Sequence, residues 1–304
     1  MNNSQLSFVF PGQGSQSKGM LSELVDEYEI VRLTYDEASV ALGFDLWQLI
    51  LENPQDKLNL TSHTQPALLA SSVAIWRLWI QQGGDKPAFL AGHSLGEYSA
   101  LVCAGVISLK DAVSLVADRG KFMQEAVPEG SGAMAAILGL PDEQVIEICA
   151  HAAQSEVVSA ANFNSNGQVV IAGDKNAIER AIELAKEQGA KRAMLLAVSV
   201  PSHCALMREA AERFAERMEL IQFANASIPI IQNVDAEKRT DAEAIKKALL
   251  EQLYCSVHWW LSVTRLKELG STTIIECGPG KVLSGLIKRI DRSLEIFPVH
   301  DSDS

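Results

Sequence analysis

A serine stands between two glycines in Gly92-His93-Ser94-Leu95-Gly96, directly after a short apolar run over residues 87–91. Strand, sharp turn, helix is the setting in which Gly-x-Ser-x-Gly presents a nucleophile. The glycines remove side chains where strand and helix must approach, and the turn lifts Ser94 Oγ clear of the sheet. Backbone N–H groups at the start of the following helix would face a developing oxyanion. The pattern alone is short enough to arise by chance, and its setting is what makes it a candidate.

A serine nucleophile needs a base, and histidine titrates near neutrality. Of the six histidines, His93 adjoins Ser94 and is expected to point away from the reacting face. His63, His151 and His300 occupy unremarkable positions. His203 follows a predicted strand and the stiff turn Val200-Pro201-Ser202, at a junction where clefts form. Arg119 lies on the apolar stripe of a helix predicted over residues 111–126, with Leu115, Phe122 and Met123. Its spacing leaves two readings open: a packed stem with its head in water, or a buried guanidinium awaiting an anionic ligand. Pro11-Gly12-Gln13-Gly14-Ser15-Gln16 follows a first predicted strand. It lacks the spacing of a phosphate loop, and reads as a turn carrying Gln13 to the mouth of a site.

The elements that must position these residues alternate. Strands are predicted over 6–10, 87–91, 229–234 and 272–276, with helices over 67–80, 95–102, 111–126, 241–254, 259–269 and 281–290. That order implies a mainly parallel sheet covered by helices. From residue 129 the texture changes to β-α-β-β-α-β, with strands at 134–138, 157–160, 168–172 and 193–198. Asp174 is expected to cap the second helix of that unit. The fold expected is therefore α/β: a hydrolase-like core, residues 1–128 and 199–304, with an inserted ferredoxin-like α+β subdomain, residues 129–198.

Composition narrows the function classes. At 304 residues, 47% hydrophobic and 21% charged, the chain has the make-up of a soluble globular protein with a substantial core. A formal net charge of −12 argues against nucleic acid as a partner. No run reaches the ~20 apolar residues that span a bilayer, and the first residues lack a signal-peptide pattern. The five scattered cysteines form no Cys-x-x-Cys pair, and no histidine spacing suggests a metal. A cytoplasmic protein with reduced thiols and no metal is expected.

Five motifs in fixed order carry a resemblance. Residues 10–16 (Phe-Pro-Gly-Gln-Gly-Ser-Gln), 92–97 (Gly-His-Ser-Leu-Gly-Glu), Arg119, 200–203 (Val-Pro-Ser-His) and 276–280 (Glu-Cys-Gly-Pro-Gly) span nearly the whole chain. Together they resemble the bacterial malonyl-CoA:acyl carrier protein transacylases of fatty-acid synthesis. The resemblance implies Ser94 as the malonyl-carrying nucleophile and His203 as its base and acid. It implies Arg119 as the receptor for the malonyl carboxylate, Gln13 and Leu95 as backbone oxyanion donors, and Met123 as a wall of the acyl pocket. The inserted ferredoxin-like subdomain is also a family feature. It implies malonyl-CoA and acyl carrier protein as partners, with no resident cofactor, the phosphopantetheine being carried by the partner.

One departure stands out: His258 occupies a position where the family commonly has glutamine, whose main-chain carbonyl orients the base. His258 C=O is accordingly expected to hold His203 Nδ1–H, and a protonated His258 would depress the pKa of His203. Because carrier proteins are generally acidic, a basic docking surface is needed. Lys281, Lys288, Arg289 and Arg292 offer one, although they also suit a helix C-terminus. Three rivals remain: a serine esterase or thioesterase, a non-catalytic carrier-binding module, and an acyltransferase of a polyketide pathway. The first would place an acidic residue between the serine and a late histidine.

Overall fold

Residues 6–10 alternate in the manner of a strand buried on both faces. Leu6, Phe8 and Phe10 join one apolar cluster, while Val9 joins another with Ala91, Ile231 and Ile274. Helices must then cover both sides, and they do. The computed structural model describes residues 2–198 and 200–301. In chain order the described elements begin with β1 (Asn2–Phe10), α1 (Ser22–Glu27), α2 (Glu29–Leu42), α3 (Leu46–Glu52), α4 (Thr61–Gln81), β2 (Lys86–Gly92), α5 (Gly96–Cys103) and α6 (Leu109–Glu125). Then come β3 (Gly132–Leu138), α7 (Asp142–Ala153), β4 (Val158–Ser165), β5 (Gln168–Asp174), α8 (Lys175–Glu187) and β6 (Arg192–Leu195). The chain continues with α9 (Arg208–Met218), β7 (Ile230–Ile231), β8 (Lys238–Arg239), α10 (Ala242–Tyr254), α11 (Trp259–Glu268), β9 (Thr273–Cys277), α12 (Val282–Ile290) and β10 (Glu295–Val299).

The larger sheet runs β10-β9-β1-β2-β7-β8. Every pairing in it is parallel except β7 with β8 at one edge. The smaller sheet, β4-β5-β3-β6, is antiparallel throughout, which is the strand order of a ferredoxin-like unit. The α/β expectation therefore holds for both sheets. The boundary placed at Ser199, and the chain ends at Met1 and Ser304, lie outside the described residues.

Hydrogen bonds tie the smaller sheet and its helix α7 to α11 and the segment that leads into it. Phe163 N–H donates to Val257 O at 2.9 Å and Val257 N–H to Ala161 O at 2.8 Å. Trp260 Nε1–H reaches Asp142 at 3.0 Å. Asp174 occupies the start of α8, yet its carboxylate accepts from Val157 N–H at 2.7 Å and makes no bond to the helix. The expected cap is thus a clamp between β5 and the approach to β4. Among the described residues no helix is long and apolar enough to cross a membrane, and no cluster of His, Cys, Asp or Glu could hold a metal ion. All five cysteines are unpaired.

Candidate active site

The reacting groups gather at the carboxyl ends of the parallel strands, where open α/β sheets bind ligands. β1 ends at the turn carrying Gln13, β2 at the turn carrying Ser94, and β7 runs into Gln232 and Asn233. Three glycines make this crowding feasible. A β-carbon on Gly92 would stand 1.9 Å from the Gly96 carbonyl carbon, and one on Gly96 2.0 Å from Phe10 O. One on Gly12 would stand 2.4 Å from His93 O, so the Gln13 turn lies against the Ser94 turn.

Ser94 has φ 51° and His203 φ 62°, both in the left-handed region that side chains other than glycine rarely adopt. Each is held there by its neighbours. Ser94 N–H donates to Asn233 Oδ1 at 2.7 Å, and Ser94 O accepts from Gln252 Nε2 at 2.9 Å. His203 N–H donates to Leu253 O at 3.1 Å. The result is a Ser94 Oγ to His203 Nε2 distance of 2.7 Å.

His203 Nδ1 lies 2.6 Å from Gln252 O. A carbonyl only accepts, so Nδ1 carries the proton and Nε2 is the acceptor facing the Ser94 hydroxyl. The expectation that His258 C=O would do this is overturned. His258 begins α11, and its carbonyl already accepts from Ser262 N–H and Ser262 Oγ–H, both at 2.9 Å. Gln252 lies in the last turn of α10, where carbonyls lack intrahelical donors and can serve a neighbour. His258 instead stacks on Phe163, with ring centroids 5.1 Å apart and planes 8° apart. The charges that act on His203 are Arg119 and His93, and His258 is not among them.

Burial, with the Arg119 charge second, lowers the His203 pKa from 6.5 to about 3, against the opposing Gln252 carbonyl. The imidazole is therefore neutral, as a base must be. His93 points away from Ser94, donating Nε2–H to Asn164 Oδ1 at 2.8 Å on β4.

Arg119 is 1% exposed. Its Nη1 donates to Gln65 Oε1 at 2.9 Å, its Nη2 to Gln252 Oε1 at 3.0 Å, and its Nε has no partner. The Tyr98 ring lies 5.4 Å from the guanidinium. Among the described residues no carboxylate forms an ion pair with it. This decides between the two readings: Arg119 is a buried cation held by neutral acceptors. Met123, one turn on, is 1% exposed and receives Gln65 Nε2–H at its sulfur, 3.7 Å away. Leu95 is buried directly after Ser94, while Gln13 is exposed with its amide 3.3 Å from Thr61 Oγ1.

Glu97, Gln65, Asn233 and Gln252 belong to the same constellation; Glu97 closes the 92–97 motif, but the sequence alone assigns a role to none of the four. Each carried a readable signal: a polar residue inside an otherwise buried stretch, as Gln252 sits beside Leu249 and Leu253 on α10. Lys281, Lys288, Arg289 and Arg292 are all exposed. Arg289 donates to Gln168 Oε1 at 2.8 Å, and Lys281 follows a turn packed on Pro11 and Ser15.

Residues 7–295 match the family of the acyl transferase domain. The chain is 58% identical to the malonyl CoA-acyl carrier protein transacylase of Salmonella typhimurium, covering 94% of this chain and 93% of that one. A crystal structure of the malonyl-CoA:acyl carrier protein transacylase of Xanthomonas oryzae superposes with a TM-score of 0.98. It is 55% identical and covers 100% of this chain and 96% of that one. A malonyl-transacylase solved in complex with a type II polyketide-synthase acyl-carrier protein gives 0.97 at 54% identity, covering 98% and 97%. The chain belongs to the acyl transferase domain family, among the malonyl CoA-acyl carrier protein transacylases.

Proposed function

We infer that the protein transfers a malonyl group from malonyl-CoA to the phosphopantetheine thiol of an acyl carrier protein, through an ester on Ser94, and so feeds fatty-acid synthesis. One observation carries the reading: a neutral His203 at hydrogen-bond distance from Ser94 Oγ, beside a buried Arg119 that no carboxylate pairs. Ser94 Oγ attacks the thioester carbonyl as its proton passes to His203 Nε2. The backbone N–H groups of Gln13 and Leu95 would meet the oxyanion, each such donor being worth ~10²–10³-fold in rate. On collapse, His203 returns the proton to the departing CoA thiolate. In the second half-reaction the carrier thiol gives its proton to His203 Nε2 and attacks the ester carbonyl. Ser94 Oγ then leaves and recovers that proton.

Arg119 supplies selectivity. A malonyl carboxylate satisfies the buried guanidinium, whereas an acetyl group leaves it uncompensated. His203 leans on a main-chain carbonyl in place of an acidic residue, which speaks against the esterase reading. CoA and phosphopantetheine are portions of substrate and carrier, so no resident cofactor is required, and the chain would act in the cytoplasm. Intact-mass spectrometry tests the scheme. Malonyl-CoA should add one malonyl group to the wild type and none to Ser94→Ala, and Arg119→Ala should slow loading by about 10²-fold. Equal loading from acetyl-CoA would remove Arg119 from the account.

A further inference from the structure

Glu97 is fully buried at the first turn of α5, and its two oxygens hold two different arms of the site. Oε1 accepts from Asn233 N–H at 2.8 Å, and Oε2 accepts from Gln252 Nε2. The Asn233 side chain fixes the Ser94 turn, with Oδ1 on Ser94 N–H and Nδ2 donating to Gly92 O at 2.7 Å. Gln252 touches everything else: its amide oxygen takes Arg119, its amide nitrogen takes Ser94 O, and its main-chain carbonyl takes His203. We propose that Glu97 is a positioning residue that ties the carboxylate receptor to the serine–histidine pair through Asn233 and Gln252. The proposal rests on the reading of Arg119 as receptor for the substrate carboxylate.

The chemistry of the two arms explains why a carboxyl group is needed. Both arms present N–H donors, so the central residue must offer lone pairs on two atoms, and a carboxyl does so even when protonated, because its hydroxyl oxygen still accepts. Glutamine has the same shape but only one acceptor oxygen. Either way round, its NH₂ group faces an N–H that then loses its partner. The Gln252 amide would be free to turn, and with it the acceptor that holds Arg119 in register.

Stability points in the opposite direction. Burial pushes the Glu97 carboxyl from 4.5 up to about 8, against the pull of its two donors and of Arg119 and Arg239. Tyr98, His203 and His93, the other titratable groups about the site, add no positive charge near neutrality. A carboxyl raised in the fold costs stability as pH climbs from about 4.5 to 8, because the unfolded chain ionises first. Glu97→Gln removes that cost, set against the one N–H it leaves without a partner. A residue kept only for the fold would be improved by this change, whereas a positioning residue would lose activity while the fold held.

The test compares wild type, Glu97→Gln, Arg119→Ala and the double variant at pH 8. Each is scored for Tm, for Ser94 loading by malonyl-CoA, and for Ser94 labelling by phenylmethylsulfonyl fluoride, which brings no carboxylate. Glu97→Gln should keep or raise Tm, yet slow both reactions, malonyl loading by roughly 10²-fold as misplaced reacting groups do. Arg119→Ala should slow malonyl loading alone, and in the double variant the two losses should fall short of their product. Wild-type labelling of Glu97→Gln by the sulfonyl fluoride would overturn the tie to Ser94 and His203. Multiplying losses would overturn the tie to Arg119. Unchanged malonyl loading in Arg119→Ala would instead sink the receptor reading, while the sulfonyl fluoride result still judged Glu97. Should Glu97→Gln not fold, Glu97→Asp, which withdraws the carboxylate by one methylene, allows the same comparison.

Discussion

At the scale of single residues, His203 is tuned by opposed influences whose balance sets a pH behaviour. Burial and the Arg119 charge disfavour the imidazolium, while the carbonyl of Gln252 at the end of α10 favours it. Burial wins, so the pKa falls from 6.5 to about 3. Stability contributed by the neutral ring is accordingly present above 6.5 and drains away as pH drops toward the folded value, because the unfolded chain takes the proton first. Activity follows the folded value. Ser94 labelling by phenylmethylsulfonyl fluoride should therefore show no half-loss near pH 6.5, and an acid limb centred there would contradict a buried neutral base. A malonyl carboxylate on Arg119 cancels part of the depressing charge, so the imidazolium formed during acyl transfer is easier to reach with substrate than without it. Ser94, His203 and Arg119 were legible in the sequence because each breaks a local pattern. Gln252 shows in the sequence only as a polar residue on a buried face, and its service to His203 does not show, because the atom involved belongs to the main chain. Only the end of α10 marks it, and no side-chain type signals a free carbonyl.

Elements hold these residues through close backbone approaches, and next to Arg119 the α6 backbone at Gly120 lies directly against α4. A β-carbon on Gly120 would lie 2.7 Å from both Ser62 Cα and Thr61 O, which are backbone atoms with nowhere to go. Gly120→Ala should thus push α6 off α4, at a cost of about 1–3 kcal/mol for an overpacked contact. Because Arg119 on α6 meets Gln65 on α4, the same shift should slow malonyl loading more than sulfonyl fluoride labelling. Thermal unfolding with the two labelling rates checks this, and equal slowing would disconnect the helix pair from carboxylate recognition. The Glu276 motif has its own role in packing. The buried carboxylate accepts from Leu283 N–H at 2.9 Å and Ser284 N–H at 2.7 Å, so β9 caps α12 directly. The long helices and the ferredoxin-like order could be read from periodicity. β10 is not foreseen because Pro298 stands inside its short apolar run, and the strand expected over 229–234 pairs over only two residues. Edge pairings of that length depend on what the neighbouring strand offers, which a single sequence does not contain.

Across the whole molecule the net charge of −12 opposes the approach of an acidic carrier, so encounter must rely on local basic surface. α12 offers it next to the site. Lys281 follows the turn at residues 278–280, where a β-carbon on Gly278 would lie 2.6 Å from Pro11 and one on Gly280 3.7 Å from Ser15 O. That turn is one step from Gln13 and the Ser94 elbow. Lys288 and Arg289 continue the exposed face, and Arg289 reaches Gln168 at the start of β5, so the basic strip crosses from the parallel sheet to the antiparallel one. Under the proposed function, an acidic carrier laid along this strip would bring its tethered thiol toward Ser94. Exposed charges act mainly on encounter and are screened by salt. Lys288→Glu should therefore raise the KM for acyl carrier protein by about three- to tenfold at low ionic strength. The gap from wild type should close as salt is added, and the rate at which malonyl-CoA loads Ser94 should stay the same. Initial rates of the two half-reactions over a salt series measure both quantities. A KM for the carrier that ignores the substitution at every salt concentration would move the docking surface off α12 and leave the chemistry at Ser94 untouched.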